Sequence, residues 1–102
     1  MDPFEVIVSD EAKRQMGECM LFLAEKDLDA AQALRERLVT SIRSFSSMPD
    51  RFPFFNEPYV PWNKYHKMCV EKYYLILYQI RDQFVYVDYV LDCRRDYRWL
   101  IH

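Results

Sequence analysis

The hydrophobic period of this chain changes in mid-sequence, and that change restricts the fold more than any other feature. Before residue 51 apolar side chains recur at helical spacing; beyond it come short runs rich in aromatic and β-branched residues. Phe4, Phe22 and Phe45 precede that point, and the other fourteen aromatics follow it. A chain of 102 residues divided in this way has room for one domain, in which helices from the first half cover strands from the second.

The elements can be placed individually. Residues 4–8 form a short β-branched run between Pro3 and Ser9, which reads as a strand. Ser9 is suited to cap a helix over residues 10–26, with Asp10 and Glu11 against the positive end of its dipole. Ala12, Met16, Cys19, Met20 and Leu23 give that helix one apolar stripe. Gly17 lies inside it at a cost of roughly 1 kcal/mol relative to alanine, and the reading is close approach of a second backbone. Asp29 with Gln32 resembles a capping box that opens a second helix, whose stripe runs Ala31, Leu34, Leu38, Ile42 and Phe45 and which stops before Pro49. The short link implies an antiparallel helical hairpin. Residues 49–61 hold four prolines and read as an irregular, aromatic loop. Residues 64–70, 73–80 and 84–91 follow as three strands joined by short polar turns. The expected fold is α+β, in the order β-α-α-β-β-β, with the helical hairpin packed on one face of a mostly antiparallel four-stranded sheet. The tail reads as a helical turn with Trp99 and Leu100 docked on the core.

Composition removes several function classes. Gly17 is the single glycine, so no glycine-rich loop exists to cradle a phosphate or dinucleotide, and no cofactor is implied. There is no run of about 18 apolar residues and no cationic, apolar leader, so the reading is a cytoplasmic protein without a membrane partner. Cys19, Cys69 and Cys93 are an odd number without any C-x-x-C spacing, which suits buried thiols in a reducing compartment better than a disulfide framework. His66 and His102 stand near no second metal ligand in a known spacing. A net charge of -2 provides no global attraction to nucleic acid, although a local basic face is compatible with it.

Several stretches, taken in order, resemble the RelE/ParE superfamily of toxins from type II toxin-antitoxin modules, which includes plasmid stabilisation proteins. They are residues 6–12 with Ser9, Glu11 and Ala12 at the helix start, residues 44–53 where the second helix ends, the strand run 74–80, and residues 90–97 with Arg94, Arg95 and Asp96. The resemblance spans most of the chain. It implies a growth-inhibiting toxin neutralised by a cognate antitoxin whose extended or helical segment wraps it. Its target would be DNA gyrase in ParE-like members, or messenger RNA on the ribosome in RelE-like ones. Fold does not choose between them.

The site residues bear on that choice. Cleavage of a phosphate ester needs cations at the phosphate and groups that move protons. By resemblance to the nuclease branch, His66 and Met68 fall where two functional lysines often lie, Leu75 falls where an arginine follows the central-strand tyrosine, and Arg94 and Tyr97 match the basic and aromatic tail. Two of the three cationic positions inside the sheet are apolar. The candidate catalytic set is therefore His66, Lys67, Arg94 and Tyr97, and the favoured reading is a ParE-like or divergent toxin that binds its target. A metal-independent endoribonuclease and a non-toxic binding module are the alternatives. His66 admits a second reading, as a strand histidine touching an aromatic ring. Lys64, Lys67 and Lys72 can equally be the charges of a solvated strand edge.

The rings beyond Pro49 also suggest a docking surface for an antitoxin segment or a second copy of the chain. Phe54, Phe55, Tyr59 and Trp62 are its candidate anchors, with Arg95 and Arg98 as candidate contacts for an acidic partner. The alternative is that these rings fold back and close the core.

Overall fold

A computed structural model describes residues 3–58 and 60–94. The candidates Tyr59, Arg95, Tyr97 and Arg98, and the expected docking of Trp99 and Leu100, lie outside the described residues. Strand β1 (Glu5–Val8) leads into helix α1 (Asp10–Ala24) through Ser9, whose hydroxyl accepts from the Ala12 N–H at 2.9 Å and donates to the Asp88 carbonyl at 3.0 Å. One side chain thus caps the helix and fastens it to the sheet. Helix α2 (Leu28–Ser44) is capped by Asp27, whose Oδ1 accepts from the Ala30 N–H at 3.1 Å. The expected cap at Asp29 is corrected: Asp29 lies in the first turn, where its charge meets the positive end of the helix dipole.

The α2 stripe is buried as its spacing requires, at Ala31, Leu34, Leu38, Ile42 and Phe45. On α1 the buried positions are Ala12, Gln15 and Cys19. Gln15 carries a polar group into the core because its Oε1 accepts the Val90 N–H at 2.8 Å, on a stretch of strand that β1 has stopped short of covering. The reading of Gly17 as a point of close approach is overturned: a Cβ there would have nothing within 4 Å.

Strands β2 (His66–Val70), β3 (Tyr74–Arg81) and β4 (Phe84–Asp92) complete a sheet of order β1-β4-β3-β2. β1 runs parallel to β4 and the other pairings are antiparallel. The α+β class and the helical hairpin on a mostly antiparallel sheet are as expected. Register shifts at Leu77 and Tyr78, leaving Asp88 as the extra residue of a bulge, where the Gln79 amide hydrogen-bonds its carboxylate. With the chain's single glycine inside a helix, left-handed backbone falls to Met48, Asn63, Glu71 and Asp82. Asn and Asp tolerate that region best.

One expectation about layering is incomplete. Helices cover the face that carries Tyr74, Ile76 and Tyr78, but the opposite face is also closed: Phe55, Tyr65 and Val60 from the proline-broken segment pack on Leu75, Leu77 and Leu91. β3 is therefore buried on both faces from Tyr74 to Tyr78, which is why its sequence is a continuous apolar run rather than an alternation.

Tyr78 ties the segment to the core. Its hydroxyl donates to the Pro49 carbonyl at 2.6 Å, its ring stacks on Phe45 at 4.0 Å, and burial pushes its phenol up to about 12 from 10.0. Because the folded value lies above the unfolded one, the associated stability is complete below pH 10 and is lost as pH rises from 10 through 12. Burial moves Tyr65, Tyr74 and Tyr89 in the same direction. Tyr78→Phe is expected to cost about 1–2 kcal/mol at neutral pH, because the Pro49 carbonyl loses its donor. Urea midpoints measured at neutral pH and above pH 10 check this: the variant should lose less on alkalinisation than the parent.

Candidate functional site

Alternation along β2 decides how its candidate residues sit. Neighbours on a strand point to opposite faces, so His66 lies on the helical face opposite Tyr78 while Lys67 lies on the other, opposite Leu77. His66 is buried between two rings, Phe54 at 4.2 Å and Tyr78 at 5.3 Å, with its Nδ1 2.7 Å from the Phe52 carbonyl. That distance places the proton on Nδ1, which donates. Phe54 forms an isolated bridge to His66, and the Phe55 and Lys67 N–H groups donate to the Tyr65 and Pro53 carbonyls at 2.7 and 2.9 Å. The segment therefore covers the first half of the β2 edge.

Arg94 stands at the other end of β3. Its Nε and Nη2 donate to the two carboxylate oxygens of Asp92 at 3.0 and 2.9 Å, and its backbone N–H donates to the same carboxylate at 2.9 Å. Nη2 also reaches the Tyr74 hydroxyl at 3.3 Å, and the guanidinium lies 4.2 Å from the centre of the Tyr73 ring. The hydrogen bonds to Asp92 raise its already high pKa, so it remains a fixed cation. Tyr74 pairs with Val70 and Asp92, four residues from the His66–Tyr78 pair, a separation of roughly 13 Å along the strand. His66, Lys67 and Arg94 do not converge on one point.

What the structure does bring together is a set of cations over aromatic rings. The ammonium of Lys64 lies over Tyr65 at 5.2 Å and that of Lys67 over Phe55 at 5.8 Å, on rings of the face opposite the helices, while Lys72 lies over Tyr73 at 5.6 Å and the Arg94 guanidinium meets the same ring. None of the three lysines has an ion-pair partner among the described residues. Each ring holds its cation by about 0.5–1 kcal/mol and leaves the charge facing outward. The sequence carries a signal for this in the adjacent pairs Lys64-Tyr65 and Lys72-Tyr73, which composition alone hides. Tyr65 and Tyr89 meet edge to face at 5.9 Å on the same side, and burial pushes both phenols up, so neither exchanges protons near neutral pH.

The candidate anchors separate. Phe55 is a core residue at 2% exposure, which corrects its reading as a surface anchor: Leu75, Leu77 and Tyr65 enclose it. Phe54 remains 39% and Trp62 77% exposed. Trp62 rides on a loop clamped by Asn56, whose Oδ1 accepts the Asn63 N–H at 2.7 Å and whose Nδ2 donates to the Asn63 side chain at 2.9 Å. Among the described residues no cluster of His, Cys, Asp or Glu has the makings of a metal site.

No family model matches the chain, and no curated protein matches it in sequence. Its fold does have solved counterparts. A chain from a structure described as a chromosomal ParDE TA system from P. aeruginosa superposes with a TM-score of 0.71, covering 87% of this chain and 95% of that one, at 4% sequence identity. The likeness is one of fold.

Proposed function

We propose that this chain is the toxin component of a bacterial type II toxin-antitoxin module, acting in the cytoplasm by binding a macromolecular target and neutralised by a cognate antitoxin. The observation that carries the reading is the fold likeness to a chain of a ParDE system across 87% of the sequence. Binding is favoured over catalysis because the groups able to move protons do not meet. His66 is packed between rings with its Nδ1 engaged, Lys67 points through the other face, and Arg94 is held by Asp92. Among the described residues no helix is long and apolar enough to cross a membrane, which is compatible with a cytoplasmic site of action.

The row of lysines over aromatic rings favours one second reading, cleavage of ribosome-bound messenger RNA, since cations backed by rings suit a phosphate backbone. Two assays on the purified chain separate the readings: DNA supercoiling by gyrase, and primer extension on messages in a translating extract. Inhibited supercoiling with intact messages supports the ParE-like binding mode. New 5′ ends lost in a Lys64→Gln, Lys67→Gln, Lys72→Gln variant would replace it with the nuclease, and neither effect would leave a non-toxic binding module.

A further inference from the structure

The bulge in β4 changes what the sheet presents on the face away from the helices. In an unbroken strand Asp88 and Tyr89 would point through opposite faces. The extra residue breaks that alternation, so Val87 and Val90 both enter the helical core while Tyr86, Asp88 and Tyr89 all stand on the other side. Gln79, which pairs with Tyr86 and follows Leu77 by two positions, shares that side. The proline-broken segment closes this face over Leu75, Leu77 and Leu91, and leaves Gln79, Tyr86, Asp88 and Tyr89 half-buried.

The charge at the bulge is only partly answered. The Gln79 amide donates to one carboxylate oxygen of Asp88, and the second oxygen takes no hydrogen bond among the described residues. Glu11, Glu18, Glu71 and Asp92 each hold an arginine, whereas Asp88 has no ion-pair partner among the described residues. Rings surround it instead. Tyr65 and Tyr89 meet edge to face at 5.9 Å, the Tyr89 hydroxyl donates to that of Tyr65, and the Asp88 carboxylate lies near enough to both to add to the upward push that burial gives each phenol. Lys64 is drawn over the Tyr65 ring at 5.2 Å and not onto the carboxylate. Tyr86 stands on the other side, 6.0 Å from Phe84 and beside Ile7 of β1, which is 39% exposed.

We infer that this bulge is a receptor site for an arginine side chain of a protein partner. The guanidinium donates to the second Asp88 oxygen and lies against the Tyr86 and Tyr89 rings, while Ile7 and Phe84 meet apolar residues that flank the arginine. Arginine fits better than lysine, because a flat, weakly hydrated guanidinium can stack on a ring and donate in its own plane at once. Nucleic acid is the wrong occupant, since Asp88 would face its phosphates. The inference is independent of the toxin reading.

The test uses the full, isotopically labelled chain and a short blocked peptide with a central arginine between leucines, beside the same peptide carrying citrulline, which keeps the shape and loses the charge. Binding is read from the NMR shifts of the Gln79 side-chain amide and of the Tyr65, Tyr86 and Tyr89 rings. The arginine peptide is expected to bind about tenfold more tightly than the citrulline peptide, with the advantage falling as salt is raised. Asp88→Asn, which keeps an acceptor for the Gln79 amide, should remove that preference, and Asp82→Asn, on the exposed turn between β3 and β4, should leave it. Tyr86→Leu retains the charge and removes one ring, and should weaken arginine binding about threefold. Equal binding of the two peptides, a preference that survives Asp88→Asn, undiminished affinity in Tyr86→Leu, or shifts centred elsewhere overturns the inference. So does agmatine bound as tightly as the arginine peptide, since the site would then take a small free cation and not a partner's side chain. None of these readouts involves growth, so this site and the toxin reading fail separately.

Discussion

Phe45→Ala is expected to lower the unfolding free energy by about 4 kcal/mol, the largest effect of any single truncation in the helical layer. Phe45 is fully buried at the C-terminal cap of α2, stacked on Tyr78 at 4.0 Å and edge-on to Phe52 at 6.2 Å. Removing the ring therefore opens a cavity where helix, central strand and proline-broken segment meet. Neighbours cannot collapse into it, since Tyr78 is pinned by its bond to Pro49 and Leu38 is enclosed by the sheet. A urea titration gives the comparison, with Phe22→Ala as the reference: Phe22 is 39% exposed, so its truncation should cost about 1 kcal/mol or less. Equal costs at the two positions would mean that the Phe45 ring is not part of a packed core.

Arg94→Ala is expected to destabilise by about 3 kcal/mol through a different cause. Asp92 is 1% exposed and takes two side-chain hydrogen bonds and one backbone hydrogen bond from Arg94, so the truncation removes its cationic partner and two of those bonds from a buried carboxylate, while the half-exposed arginine itself loses little hydration. The double variant Asp92→Ala, Arg94→Ala should cost clearly less than the sum of the two single changes, because the charge and its partner leave together. Additive costs would show that the pair is not coupled. A growth phenotype lost in Arg94→Ala is then explained by unfolding before any role in chemistry, and the lysine row is the sounder place to look for contact with an anionic target.

Much of the architecture was legible because it follows from period and capping. The α2 stripe ending at Phe45, the Ser9 cap and the switch from helix to strand each state a local rule that tertiary structure left in force. Where expectation failed, a long-range contact had taken over. Gln15 lies outside the apolar stripe read on α1, yet it is buried because it satisfies a backbone N–H far along the chain, on β4. Phe55 reads as a sticky loop residue, yet the second face of the sheet needed covering and the segment supplies the cover. Gly17 reads as a packing glycine, and only the empty space around it shows that the fold does not use it so.

The site was less legible for a geometric reason. His66 and Lys67 are adjacent in sequence, which suggests a shared site, but a strand sends them through opposite faces. Arg94 carries a charge that reads as available, but Asp92 two residues earlier has claimed it. The cation set depends on Phe55 and Tyr73 lying under Lys67, Lys72 and Arg94, an arrangement made by β2, the turns that follow β2 and β4, and the proline-broken loop together.

The central claim is tested most directly by growth of a bacterial culture in which the chain is induced alone or together with the product of a small open reading frame adjacent to its gene. Arrest within a few generations on induction alone, relieved by co-induction, is the predicted result. Unimpaired growth with the soluble, folded chain at high level in the natural host would contradict it.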